Sequence, residues 1–227
     1  MSITAIGDIH GCRKTLELLL ERLDARPEDH LLFVGDYVDR GPDSYGVIEL
    51  LIELERQGAE GVGPQCTFLR GNHDQMMLDA IDYPDDREIQ ELWRINGGGP
   101  TTASYQVNDA LPYLEEHVEF LRRTELLHET NKFVFVHAGL NPDATIEQNV
   151  TFFDPQIALW TRAHLSSDLG LWEKTVVCGH TPRPQPINKE RLINIDTGAV
   201  YAHIPGMGRL TAVRLPQREF VDVPFVG

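Results

Sequence analysis

Six side chains with oxygen or nitrogen donors occupy equivalent points of the sequence. Asp8 and His10 follow the apolar run Ile3 to Ile6, and Asp36 follows Leu31 to Val34. Asn72 follows Phe68-Leu69, His137 follows Phe133 to Val136, and His180 follows Val176 to Cys178. A single His or Asp past an apolar run is most often a turn or a cap. Recurrence at five run ends is different, because independent turns have no reason to choose ligand-competent side chains each time. Carboxylate, amide and imidazole donors without a thiolate suit hard or borderline divalent ions, with Mn²⁺ the leading candidate and Fe²⁺ or Zn²⁺ the others. Six protein donors exceed the three that one catalytic ion ordinarily takes. The inventory therefore implies two ions that share a carboxylate and lie roughly 3.5–4 Å apart.

Arg40 and Arg70 stand in the same loops as Asp36 and Asn72, an informative placement in a chain of net charge −15. A planar guanidinium binds two phosphate oxygens at once, although a surface salt bridge explains either arginine singly. There is no Gly-x-Ser-x-Gly elbow, and none of Cys12, Cys66 and Cys178 sits in a Cys-x₅-Arg loop. The nucleophile that remains is a metal-activated water.

The apolar runs are short, end in Gly or polar residues, and read as buried strands. Helical patterns separate the first three: Arg13 to Leu23, with leucines at 16, 19, 20 and 23, and Ser44 to Glu55, with Val47, Ile48, Leu51, Ile52 and Leu54. This alternation predicts an α/β layered fold with parallel strands, in which ligands bind beyond the carboxyl ends of the strands. Residues 76–131 break the alternation with an acidic stretch, Asp79 to Glu91, glycines at 97–99 and short helical patterns. They read as a helical cap inserted into one domain spanning 1–227. Leu210 to Leu215 and Glu219 to Val223, with Pro216 between, read as a closing antiparallel hairpin.

A chain of 227 residues with 41% hydrophobic content can bury roughly 70–75% of its unfolded surface. The negative charge disfavours nucleic acid and anionic membranes as partners, and no run approaches the ~18 apolar residues of a membrane span. Three cysteines, an odd number outside any paired framework, and the lack of a basic leader fit a reduced, cytoplasmic setting.

Five segments in this order, Gly7-Asp8-Ile9-His10-Gly11, Gly35-Asp36-Tyr37-Val38-Asp39-Arg40-Gly41, Gly71-Asn72-His73-Asp74, His137-Ala138-Gly139 and Gly179-His180-Thr181-Pro182, closely resemble the signatures of the phosphoprotein phosphatase family of metallophosphoesterases. The resemblance covers residues 3 to about 201 and is nearest to the short bacterial and phage serine/threonine protein phosphatases. It implies a layered sheet sandwich flanked by helices. It also implies one ion on Asp8, His10 and Asp36, and a second on Asp36, Asn72, His137 and His180. His73 would be the general acid, held by Asp39. Arg40, Arg70 and Arg162 would clamp the phosphate. Arg162 enters through Trp160-Thr161-Arg162, where an amphipathic helix carrying a surface Arg reads equally well.

The implied activity is hydrolysis of serine or threonine phosphomonoesters on a phosphoprotein or phosphopeptide, by direct attack of a metal-bridging water. A dinucleoside polyphosphate hydrolase shares the signatures, and the intact Asp39-Arg40 pair favours monoesters over it. A metal-holding scaffold without catalysis is a third reading, but it should have decayed at His73 or at a ligand, and all are present. Three departures accompany the resemblance. Asp74 stands where Glu is common, and an extra loop at 202–208 carries His203, either a polar group near the site or an ordinary loop residue. The long C-terminal regulatory tail of eukaryotic members is not expected. Cys12 reads as a small residue facing the following helix rather than as a redox switch.

Overall fold

The structure, a computed structural model, describes residues 2–227. In chain order the elements are β1 (Ile3–Ile6), α1 (Arg13–Leu23), β2 (His30–Phe33), α2 (Ser44–Ala59), β3 (Gln65–Phe68), α3 (Asn72–Asp82), α4 (Arg87–Trp93), α5 (Gly99–Val107), α6 (Leu114–Arg123), β4 (Leu127–Glu129) and β5 (Phe133–Val136). The chain continues through α7 (Ile146–Thr151), α8 (Pro155–Trp160), β6 (Thr175–Cys178), β7 (Ile187–Asn188), β8 (Leu192–Asn194), β9 (Arg209–Leu215) and β10 (Glu219–Pro224).

Two five-stranded sheets form, in the orders β10-β9-β1-β2-β3 and β4-β5-β6-β8-β7. In the first, β1, β2 and β3 run parallel and the β9-β10 hairpin adds antiparallel to β1. In the second, β5, β6 and β8 run parallel, with β4 and β7 as antiparallel edges. The central strands are apolar on both faces because each face is covered. In β2 and the residue after it, Leu32 and Val34 point to the space between the sheets, where they meet Phe135, Val177 and Ile193 of the other sheet. Leu31 and Phe33 point the opposite way, onto Leu16 and Leu19 of α1 and Val47, Ile48 and Leu51 of α2. In β5 and β6 the same alternation sends Val134, Val136, Val176 and Cys178 outward to Ile146, Ala158 and Trp172.

The stretch expected to form the cap is helical from Asn72 to Arg123. Its C-terminal boundary differs from the expectation of residue 131, since Leu127–Glu129 pairs with β5 as an edge of the second sheet. A three-residue strand with a polar middle carries no period, and the pairing is made by β5 rather than announced locally. Among the described residues no helix is long and apolar enough to cross a membrane.

Two buried histidines, His117 and His164, were not singled out by the sequence. His164 stacks on Trp172 with ring centroids 6.0 Å apart, its Nδ1 has no partner, and burial pulls its pKa down from 6.5 to about 4. Its folded pKa lies below the unfolded one, so the stability it contributes is complete above about pH 6.5 and is lost as the pH falls toward 4. In chelator-treated protein, His164→Phe should reduce the protons taken up on unfolding at pH 5 by about one. The slope of urea-unfolding free energy against pH measures this, and an unchanged slope would contradict burial of a neutral imidazole.

Candidate metal centre

The carboxyl ends of β1, β2, β3, β5 and β6 converge, and the loops beyond them are sharply bent. His10 (φ 47°), Asp36 (φ 56°), Asp39 (φ 71°), Arg40 (φ 68°) and His180 (φ 65°) all take left-handed backbone conformations. Each costs of order 1–3 kcal/mol in a non-glycine residue and persists only where its surroundings over-determine it. Asp74 supplies much of that determination. Its buried carboxylate accepts the backbone N–H of Gly71 at 2.8 Å, Asp36 at 2.9 Å and Tyr37 at 2.9 Å, tying the loop after β2 to the start of α3. The substitution of Asp for Glu at this position therefore leaves a carboxylate that still bonds the loop. Gly179 has no room for a side chain, since a Cβ there would collide with Asp8 Oδ1.

All six expected donors meet at this edge. Asp36 lies between two groups of ligands: its Oδ2 is 3.4 Å from His10 Nε2 and its Oδ1 is 3.5 Å from His137 Nε2. Asn72 Oδ1 lies 3.0 Å from His137 Nε2 and 2.8 Å from His180 Nδ1. Asp8 Oδ2 accepts the His180 N–H at 2.9 Å. Candidate ligand atoms of Asp8, Asp36 and His137 lie within 4.8 Å of one another, as do those of His10, Asp36 and His73.

The donor chemistry fits cations. Burial holds the imidazoles neutral, lowering His10 to about 3 and His180 to about 2, and it lowers His137 as well. His137 Nδ1–H donates to the Val34 carbonyl at 2.9 Å, and His10 Nδ1–H donates to that of Val38 at 2.9 Å. In a neutral ring the other nitrogen is then a lone pair. His137 Nε2 thus faces the oxygens of Asn72 and Asp36, acceptor against acceptor, while His10 Nε2 lies beside Asp36 and accepts from Arg40 Nη1 at 2.8 Å. Asp8 Oδ1 and His180 Nε2 are buried with no partner among the described residues. Burial, then the charges of Asp196 and Asp36, raise Asp8 well above the usual carboxylate range. Divalent cations held by these groups would relieve the conflicts at His137 Nε2, Asp8 Oδ1 and His180 Nε2.

Beside the donors, the buried His73 Nδ1–H donates to Asp39 Oδ2 at 2.8 Å, and the His73 ring stands edge-on to His10 with centroids 4.8 Å apart. Arg40 donates through Nη1 to His10 Nε2 at 2.8 Å, and its guanidinium lies 5.6 Å from the Tyr201 ring centroid. Arg162 follows α8, whose Trp160 ring is edge-on to His180 at 6.1 Å. Arg162 itself, two residues beyond Trp160, is exposed.

Arg70 corrects the expected clamp. Its guanidinium donates to the carbonyls of Leu121 at 3.0 Å and Arg122 at 2.7 Å, to Thr124 Oγ1 at 3.1 Å and to Gln75 Oε1 at 3.0 Å. Carbonyls of the last turn of a helix are open to outside donors, and Arg70 binds those of Leu121 and Arg122. It is a tie between the β3 loop and the helical stretch that follows, and the arginine that reaches a donor of the centre is Arg40.

Other residues had passed unnoticed or were left open. Asp196 is a buried carboxylate ending the run Leu192 to Ile195; it accepts the Gly198 N–H at 2.9 Å, and burial first, then the charge of Asp36, pushes it up to about 7. The rule that found the six donors would have found it too. His203 is exposed, its ring 6.1 Å from Tyr201. Cys12 is buried, its Sγ donates to the His10 carbonyl at 3.4 Å, and burial pushes its thiol up to about 12, away from redox reactivity.

Residues 1–206 match the calcineurin-like phosphoesterase family. The chain belongs to this family. It is 32% identical to serine/threonine-protein phosphatase 1 of Salmonella typhimurium, covering 94% of this chain and 91% of the relative. It is 31% identical to an asymmetrical bis(5'-nucleosyl)-tetraphosphatase of Oceanobacillus iheyensis, over 100% of this chain and 95% of the relative. The fold is shared with the crystal structure of a putative diadenosine tetraphosphatase, at TM-score 0.69 and 23% identity over 100% of this chain and 94% of that one. As a calcineurin-like phosphoesterase, the protein is a metal-dependent hydrolase of phosphoesters. The family uses a dinuclear metal centre, and this edge holds two candidate ligand groups that share Asp36, one with His10 and His73 and one with Asp8 and His137. When bound, such ions lower the pKa of a water and neutralise phosphoryl charge.

Proposed function

We propose that the enzyme hydrolyses serine and threonine phosphomonoesters of proteins, with Mn²⁺ as the cation of both sites. The observation that carries this reading is the His73–Asp39 pair, 2.8 Å apart and buried. A serine alkoxide is a poor leaving group and needs a proton in the transition state, whereas a nucleotide released from a polyphosphate leaves as a stable anion. A buried imidazole aimed by a carboxylate is built for the first task. Arg40 and Arg162 bind the terminal oxygens of the phosphoryl group, and Asp36 orients both groups of ligands. The partner is a phosphoprotein or phosphopeptide in a reduced, cytoplasmic setting, and neither nucleic acid nor a membrane is required.

A second reading, asymmetrical hydrolysis of dinucleoside tetraphosphates, is favoured by the relatives bearing that name. A cleft of about 870 Å³ lined by Leu92, Trp93 and Ile95 offers apolar surface to a base. Values of kcat/KM on phosphoserine, phosphothreonine and phosphotyrosine peptides and on diadenosine tetraphosphate separate the two. The serine and threonine peptides should exceed the dinucleotide, and Arg40→Ala should erode that preference. A dinucleotide preference of about tenfold or more would replace the protein-phosphatase reading with the second.

A further inference from the structure

Three residues of the helical stretch after α3, Trp93, Gly97 and Thr101, grip the loop after β2 directly. Trp93, the last residue of α4, donates its indole N–H to both oxygens of Asp39, at 3.0 and 3.1 Å. Thr101, in the first turn of α5, donates its hydroxyl to Asp39 Oδ1 at 2.8 Å and accepts the Asp39 backbone N–H at 2.9 Å. Ser44 lies 2.9 Å from Thr101 Oγ1 and completes the chain. Between α4 and α5 the backbone makes a wide turn over Arg94–Gly98, where Gly97 (φ 113°) directs its carbonyl to the Arg40 N–H at 3.0 Å. A Cβ on Gly97 would lie 2.8 Å from Arg40 Cγ and 3.1 Å from its backbone nitrogen, so only glycine permits this approach.

We infer that Trp93 and Thr101 are positioning residues for proton transfer, fixing the Asp39 carboxylate so that it aims His73; this rests on the general-acid role proposed above. The terminal torsion of an aspartate is broad and roughly two-fold, so nothing intrinsic to Asp39 sets the plane of its carboxylate. Its backbone, at the consecutive left-handed residues Asp39 and Arg40, is likewise held from outside, by Thr101 and Gly97. Of the donors that reach the two oxygens, His73 Nδ1 is the group to be aimed. The two fixed donors come from the insert, across 54 and 62 residues of sequence. Losing a donor from such a supporting layer typically costs about 10–100-fold in activity.

The test compares kcat on a phosphoserine peptide and on p-nitrophenyl phosphate for the metal-loaded wild type, Trp93→Phe, Thr101→Val, Thr101→Ser and His73→Asn, with melting temperatures to confirm folding. Trp93→Phe keeps the ring and removes the N–H. It and Thr101→Val should lose about tenfold on phosphoserine and distinctly less on p-nitrophenyl phosphate, whose leaving group needs little protonation. Thr101→Ser, which keeps the hydroxyl, should restore the wild-type ratio. If His73→Asn discriminates between the substrates while Trp93→Phe and Thr101→Val do not, the positioning role is wrong and the acid remains. If His73→Asn itself loses equally on both, the general-acid reading falls and this inference falls with it.

Discussion

Asp36→Asn is expected to lower phosphoesterase kcat by roughly 10³-fold or more, the equivalent of several kcal/mol of lost charge stabilisation. The expectation follows from where the carboxylate sits. One oxygen faces His10 Nε2 at 3.4 Å and the other faces His137 Nε2 at 3.5 Å, so a single substitution removes negative charge from both groups of ligands. Asparagine retains a carbonyl oxygen that can accept the His73 backbone N–H, now 2.9 Å from Asp36 Oδ1, and the loop should keep its shape. His10→Ala touches only one side and should cost less. Near-normal turnover of Asp36→Asn at saturating Mn²⁺, with the melting temperature unchanged, would contradict the shared-ligand arrangement.

His73→Asn should cost on the order of 10²–10⁴-fold on phosphoserine peptides, the ordinary range for a positioned general acid. The loss on p-nitrophenyl phosphate should be distinctly smaller. Asn72, the neighbouring residue, presents its side-chain oxygen to His137 and His180, so damage to the metal centre is the competing explanation of any loss. That damage would lower both substrates alike. Equal losses would therefore show His73 to be structural.

Much of this site was legible in the sequence because each donor ends an apolar run, and buried parallel strands release their carboxyl ends at a common edge. β1, α1 and β5 have the bounds that composition and periodicity gave them. Asp196, at the end of the run Leu192 to Ile195, obeys the same rule, although the resemblance gives it no ligand role. Other features could not be read locally. Arg70 sits in a ligand loop, but its direction is decided by the carbonyls at the end of α6. Trp93 and Thr101 look like an ordinary helical aromatic and a polar residue of a helix's first turn, and acquire their significance from a carboxylate far away in sequence. β4 and β7, of three and two residues, are too short to carry a period and exist because longer strands beside them offer free edges.

Metal stoichiometry tests the two-cation centre most directly, without recourse to any substrate. Protein stripped with chelator and equilibrated with Mn²⁺ should bind two equivalents per chain, measured by elemental analysis after gel filtration. Asp36→Asn should retain substantially less than His10→Ala, because only the first substitution weakens both positions. One equivalent at saturation in the wild type, or equal retention by the two variants, would contradict a pair of ions joined through Asp36.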